Sequence, residues 1–263
     1  MTAAHAYDSF ELLIDCPKAV LTFTREERLN ALDARTFADL REVLDTIHAD
    51  RAVRVLIITG RGRAFVAGAD ITGYVDRTVE EYVDFQRLGR TVYDRLERLR
   101  QPVIAAVNGY ALGGGFELVL AADLVVAADT ATLGLPEAKL GLLPGGGGTQ
   151  RLPRLVGANK AKELLMTADF ITAEEGCRLG LVNRVVPAER LMEEAHALAD
   201  RILKRAPLAV EMAKQLVADG LDAPLPSAIS LETGMTATLY ATADAREGIA
   251  AFVEKRPAVF VGR

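Results

Sequence analysis

Serine is scarce in this chain: among 263 residues only Ser9, Ser227 and Ser230 carry it. None lies in a G-x-S-x-G turn, the strained elbow that presents a nucleophilic hydroxyl, so serine-hydrolase chemistry is not expected. Cysteine is scarcer still, with Cys16 and Cys177 alone. They form no CxxC pair, and two thiols make no disulfide framework. The three histidines, His5, His48 and His196, are far apart. They have no zinc-ligand spacing, and each reads as a solvated side chain, His5 near a loose terminus; no metal is expected. No run of five like charges interrupts a formal net charge of −5. A nucleic-acid surface would need clustered basic residues, so a nucleic-acid partner is not expected. No stretch reaches the ~18 consecutive apolar residues of a membrane span. Met1 to Phe10 lacks the basic stretch and apolar core of a signal peptide. A cytoplasmic protein is the expectation.

Half of the residues are hydrophobic. A chain of this length and composition can bury a full core in one large domain with an appendage. Its first part alternates strand and helix patterns. Phe10–Ile14 and Ala19–Phe23 read as strands joined at Pro17-Lys18. Phe37, Leu40, Leu44 and Ile47 share a helical face, with Asp33 as N-cap. Val53–Thr59, Val103–Val107 and Leu124–Ala127 read as buried strands, and Thr78–Arg100 as a long helix stopped by Pro102. From Ala158 onward helical patterns dominate. Leu191, Ala195, Leu198 and Ile202 share one face, Val210, Ala213 and Val217 another, and Asp244–Glu254 forms the last helix. The fold class is α/β: strand–strand–helix units over residues 1–200, then a helical region over 201–263.

Two glycine-rich stretches tempt a nucleotide reading and fail it. Gly60-Arg61-Gly62-Arg63-Ala64-Phe65 has Phe65 where a dinucleotide fingerprint needs its third glycine. Gly145 to Gly148 lacks the Lys-Ser/Thr of a P-loop. No nucleotide cofactor is expected.

Three segments carry chemistry. In Ile104 to Asp123 a buried strand enters Gly113-Gly114-Gly115 and then a helix. Glycines let the backbone approach a ligand, and the helix's first N–H groups are unpaired, which suits a developing oxyanion. Glu117 lies one turn after Gly114 and can share its cavity. Ala64 to Ile71 is a small-residue loop whose N–H groups could supply the other half of the oxyanion site. Leu135 to Leu152 adds Glu137, fixed behind Pro136, and a second carboxylate allows a division into acid and base.

Together with Asn30-Ala31-Leu32, Ala67-Gly-Ala-Asp70 and Ala251-Phe-Val-Glu-Lys-Arg256, these segments resemble the crotonase superfamily, and within it the enoyl-CoA hydratases, continuously from about Phe10 to Phe260. The resemblance implies a spiral of strand–strand–helix turns with a C-terminal helical region used in trimerisation. It implies an acyl-CoA thioester as substrate, no cofactor beyond the coenzyme A that belongs to that substrate, and a homotrimer or a hexamer built as a dimer of trimers. The oxyanion donors map onto the N–H groups of Ala69 and Gly114, and the hydratase acid/base pair onto Glu117 and Glu137. Ala67, Gly68, Asp70 and Ile71 fall in the substrate-binding loop. Arg28 matches a segment placed near CoA, although Thr24 to Arg28 lacks the proline common there. Lys255 matches a lysine that in some members reaches a neighbour's CoA. Tyr74, Val75 and Phe85 fall where the acyl pocket varies. The implied reaction is reversible hydration of a 2-trans-enoyl-CoA. A specialised hydroxyacyl-CoA dehydratase, a double-bond isomerase, an RNA-binding relative and an acyl-CoA binder without turnover are the alternatives.

Overall fold

The computed structural model describes residues 2–263. Its strands are β1 (Thr2–Ala6), β2 (Phe10–Asp15), β3 (Lys18–Phe23), β4 (Val55–Gly60), β5 (Ala64–Val66), β6 (Val103–Val107), β7 (Tyr110–Leu112), β8 (Leu124–Ala128), β9 (Thr132–Gly134), β10 (Ile171–Thr172) and β11 (Arg184–Val186). Its α-helices are α1 (Ala34–Ala49), α2 (Val79–Glu97), α3 (Gly114–Ala121), α4 (Gly148–Val156), α5 (Ala158–Thr167), α6 (Ala173–Arg178), α7 (Leu191–Leu203), α8 (Pro207–Leu221), α9 (Leu225–Tyr240) and α10 (Ala243–Glu254).

The strands form two sheets. The larger runs β1-β2-β3-β4-β6-β8-β11, and the smaller β10-β9-β7-β5. From β3 to β11 the large sheet is parallel, and β1–β2–β3 is antiparallel. The chain therefore winds as a spiral. Each turn lays one strand in the large sheet and one in the small sheet, then adds a helix: β4-β5-α2, β6-β7-α3, and β8-β9 followed by α4 and α5.

The parallel strands are apolar on both faces because both faces are covered. Leu56, Ile58, Val103, Ala105 and Val107 point into the main core. Val55, Ile57, Ile104, Ala106 and Val126 point the other way, against Leu191, Ala195, Leu198 and Ala199 of α7. Burying a Leu is worth roughly 1.5–3 kcal/mol, so the apolar stripe of α7 suffices to dock it. Helix starts follow local chemistry. Asp33 accepts the Thr36 N–H at 2.8 Å, and Thr78 with Glu81 forms a reciprocal capping box at α2.

Successive turns are tied by two asparagines. Asn30, buried, donates from Nδ2 to the carbonyls of Arg61, Ala64 and Phe65. Asn108 donates to Gly62 and Ala64 carbonyls and accepts from Gly60 N–H. Helix α8 is anchored by Lys214, whose Nζ donates to Asp123 Oδ2 at 2.6 Å and to the Gln101 carbonyl at 3.1 Å. Helix α9 buries none of its residues in the single chain. No helix among the described residues is long and apolar enough to cross a membrane.

Two expectations need correction. His5 is not loose: it lies in β1, opposite Leu12. His48 and His196 are half-buried rather than fully solvated, and burial lowers the pKa of each, helped by Arg95 and Arg100 at His48 and by Lys18 at His196. The small sheet was also absent from the sequence reading.

Candidate active site

At the C-terminal ends of the paired strands β5 and β7 the small-residue loops meet. The Leu32 N–H donates to the Gly68 carbonyl at 2.9 Å, and the Asp70 N–H donates to the Leu32 carbonyl at 2.8 Å. This isolated parallel bridge fixes Ala69 with its N–H turned away from Leu32. Gly113 precedes α3 at the N-cap position with φ 50° and ψ −125°, a conformation that glycine adopts without a β-carbon clash. Its N–H donates to Gly134 at 2.9 Å. Gly115 fits only without a side chain, since a β-carbon there would overlap the Val66 carbonyl. A β-carbon on Gly114 would stand 3.7 Å from the Ala69 nitrogen, so the two backbone segments share one small space. Among the described residues no hydrogen bond engages the N–H of Ala69 or of Gly114.

Glu117 follows in the first turn of α3 and is 3% exposed. Its Oε1 accepts two backbone N–H bonds at 2.8 Å, from Gly146 and Gly148. Burial raises its pKa, opposed by the Gly148 and Gly146 bonds and by the charge of Arg151. The glycine turn is held in place from outside. Arg151 donates to the Gly146 carbonyl at 2.6 Å and pairs with Glu97 at 2.7 Å and Asp94 at 2.9 Å, both on α2. A β-carbon on Gly146 would overlap the Tyr93 ring and come within 2.7 Å of Glu117 Oε2.

Glu137 sits in the 3-10 turn Pro136–Leu140. Its Oε1 would be 3.1 Å from a β-carbon on Gly113, which places it beside the Gly113–Gly115 turn. Its Oε2 is buried with no hydrogen-bond partner among the described residues. Burial pushes its pKa up from 4.5 to about 7, opposed by its own backbone N–H and reinforced by the negative charge of Glu117. The two carboxyls thus differ in environment. One is clamped by two N–H donors from a distant glycine turn, and the other has only its own backbone N–H.

Both carboxyls line a cavity of about 220 Å³ together with Ala67, Gly68, Ala69, Ile71, Gly113 and Gly114. Its apolar walls come from Phe37, Phe85 and Tyr93 below and Ile71, Leu140 and Leu143 at the mouth. Tyr74 lines it as well, its hydroxyl pushed up to about 12 chiefly by burial. Val75 does not belong to this wall: it is 87% exposed. Asp70 lies beside the cavity rather than in it. Its carboxylate accepts from the Thr72 hydroxyl and N–H and pairs with Arg28 at 3.3 Å. The Thr72 hydroxyl bond leads the causes that hold its pKa below the usual range. Arg28 is half-exposed next to that loop. Lys255 ends α10, exposed and outside the lining of this cavity. Among the described residues no group of three His, Cys, Asp or Glu side chains has a metal-holding arrangement.

Sequence reasoning missed the partners that shape the carboxylates. The N–H groups of Gly146 and Gly148 leave no side-chain mark beyond the glycines themselves. Arg151 stands at the end of that glycine block, where its charge was the available signal. Tyr93 is one aromatic among the apolar positions of α2 and carries none.

The sequence pattern of the enoyl-CoA hydratase/isomerase family matches residues 18–263. The crotonyl-CoA hydratase of Syntrophomonas wolfei is 44% identical over 259 residues, which covers 98% of this chain and 100% of that protein. The short-chain-enoyl-CoA hydratase of Clostridium acetobutylicum is 43% identical over 239 residues, 90% of this chain and 92% of the other. Among solved structures, the enoyl-CoA hydratase from Bacillus anthracis superposes with a TM-score of 0.92 at 38% identity, covering 100% of this chain and 99% of its own.

Proposed function

This chain belongs to the enoyl-CoA hydratase/isomerase family and is an enoyl-CoA hydratase; we propose that Glu117 and Glu137 are its base and acid, and that the Ala69 and Gly114 N–H groups hold the thioester oxygen. The observation that carries this reading is the convergence of two unlike carboxyls and two unbonded backbone donors on one cavity.

The steps follow from that convergence. The substrate carbonyl oxygen lies between the two N–H groups, and a preorganised donor of this kind is worth roughly 3–4 kcal/mol in the transition state. A water sits between the carboxyls. Glu117, whose two N–H bonds favour the charged carboxylate against burial, takes one proton from it as the oxygen bonds to the β-carbon. The electron pair of the double bond passes to the thioester as an enolate. Glu137, protonated up to about pH 7, delivers its proton to the α-carbon. One water is added and the product is a 3-hydroxyacyl-CoA. Glu117 then holds a proton and Glu137 does not, and exchange with solvent restores the pair.

Arg28 is proposed to meet a CoA phosphate, with Asp70 steadying it, while Ala67, Gly68 and Ile71 bound the thioester segment. Lys255 is assigned to the CoA of a neighbouring copy. That assignment goes with a homotrimer or hexamer in which the helices of residues 201–263 supply contacts between copies. It is supported by the exposed apolar side chains Leu225, Ile229, Leu231, Phe252 and Val253 on α9 and α10.

The test is loss of enoyl-thioester absorbance with crotonyl-CoA for wild type, Glu117→Gln and Glu137→Gln. Removing a general acid or base should cost about 10²–10⁴-fold in kcat. A wild type that binds crotonyl-CoA without consuming it, or either variant at full rate, overturns the assignment and points to another reaction of the superfamily.

A further inference from the structure

We propose that Tyr93 is a positioning residue of this site, joining the turn that carries the Gly114 donor to the turn that clamps Glu117. The inference rests on the hydratase reading above. Tyr93 comes from α2, outside all the glycine blocks, and is 2% exposed. Its hydroxyl donates to the Gly114 carbonyl at 3.2 Å, across 21 residues of sequence. Its ring edge fills the space that a side chain on Gly146 would need. Gly146 is one of the two residues whose N–H donates to Glu117. One side chain therefore touches both halves of the machinery, and it lines the cavity between them.

The need for such a group follows from the glycines. Three in a row leave the Gly113–Gly115 turn with more backbone freedom than any other tripeptide would have. An oxyanion donor works only when its direction is fixed before the charge develops. The Gly113 N–H bond to Gly134 fixes the near side of the turn. The Tyr93 hydroxyl fixes the far side by holding the next carbonyl. The ring itself is locked edge-on against Phe37 at 5.9 Å between centroids, and Phe37 against Phe85 at 5.4 Å. Burial, with the negative charges of Glu117 and Glu137, raises the Tyr93 pKa well above its ordinary value. The hydroxyl therefore remains a donor throughout the working range.

Tyr93→Phe keeps the ring and removes only the bond. The expected result is a kcat lower by roughly 10- to 100-fold, the scale set by ångström misplacement of a reacting group, with KM for crotonyl-CoA within about threefold. A second readout is optical. A conjugated dienoyl-CoA absorbs at longer wavelength when its carbonyl is polarised, and Tyr93→Phe should bind it with a smaller red shift than wild type. Tyr93→Leu, lacking the ring as well, should also disturb Glu117 and shift the pH profile. The proposal is overturned if Tyr93→Phe matches wild type in kcat and red shift, or if it melts at lower temperature while both are unchanged. A wild type inert towards crotonyl-CoA would sink the hydratase reading alone, because the dienoyl red shift still reports whether Tyr93 orients the donors.

Discussion

Replacing Glu137 by glutamine should make the folded protein more stable at pH 8 while removing nearly all activity. In the fold the carboxyl titrates at about 7 rather than 4.5, first because it is buried and second because Glu117 lies near it. Below 4.5 it is protonated in both folded and unfolded chains and contributes nothing. Between 4.5 and about 7 the unfolded chain loses the proton and the folded chain keeps it, so each rise in pH favours unfolding. Above about 7 the full penalty is present. The gap at 1.36 kcal/mol per pH unit is about 3 kcal/mol. Part of the side chain faces the cavity and its solvent, and screening brings this to about 1–2 kcal/mol. Glutamine has no such charge, so at pH 8 the variant should melt roughly 2–6 °C higher. At pH 5 the difference should shrink to about a quarter of that. Thermal melts of both proteins at pH 5 and pH 8, beside the crotonyl-CoA assay, measure this. A variant no more stable at pH 8, or an advantage independent of pH, would refute the claim that the Glu137 site is hostile to a charge.

Four further outcomes follow from the same geometry. Plotted against pH, kcat/KM should fall above about 7 as the glutamate pair loses its last proton, and this limb should vanish from the residual activity of Glu137→Gln. Gly146→Ala should lower kcat by more than about 10²-fold, because its methyl overlaps Tyr93 and presses on Glu117; a variant with normal kcat would show that the clamp is dispensable. Lys214→Met leaves Asp123 without its cation beneath α8 and should destabilise the chain by about 2–4 kcal/mol in urea melts, with kcat of the folded protein unchanged. Asn30→Ala removes three hydrogen bonds between spiral turns, two of them buried, at a residue with φ 59°, so a loss of about 2–4 kcal/mol is expected by the same measurement.

Five strands of the large sheet, β2, β3, β4, β6 and β8, were legible because they are five or six residues long and apolar, while β1 and the three-residue β11 were not; α1 and α2 were legible by cap and stripe, and α7 by its apolar stripe alone. The small sheet was not. Strands β5, β7 and β9 are 3 residues each, and β10 has 2, too few to display a period. They exist because Asn30 and Asn108 catch the carbonyls around Ala64, and because Gly109 lets Arg63 lie against the next turn. Those are contacts between residues more than 30 apart, which no window along the chain contains. His5 was misread for the same reason: its strand is made by its partner β2, not by its own sequence.

The site divides along the same line, and the division explains why a lone glutamate is hard to read. Glu117 and a solvated glutamate look alike in sequence. What separates them is the pair of N–H bonds from Gly146 and Gly148, which come from 29 and 31 residues downstream. Backbone donors have no side chain by which to be recognised. Their mark is the reverse, a run of residues from which side chains are missing because Tyr93, Leu135 and Glu117 occupy the space. The glycines at Gly113–Gly115 are explained in the same way, by Val66, Tyr93 and Glu137. A site built largely from main chain can therefore be seen in sequence only as glycine. What the glycine makes room for becomes visible only when the chain is folded, and here it is one buried tyrosine and two carboxyls held in unlike surroundings.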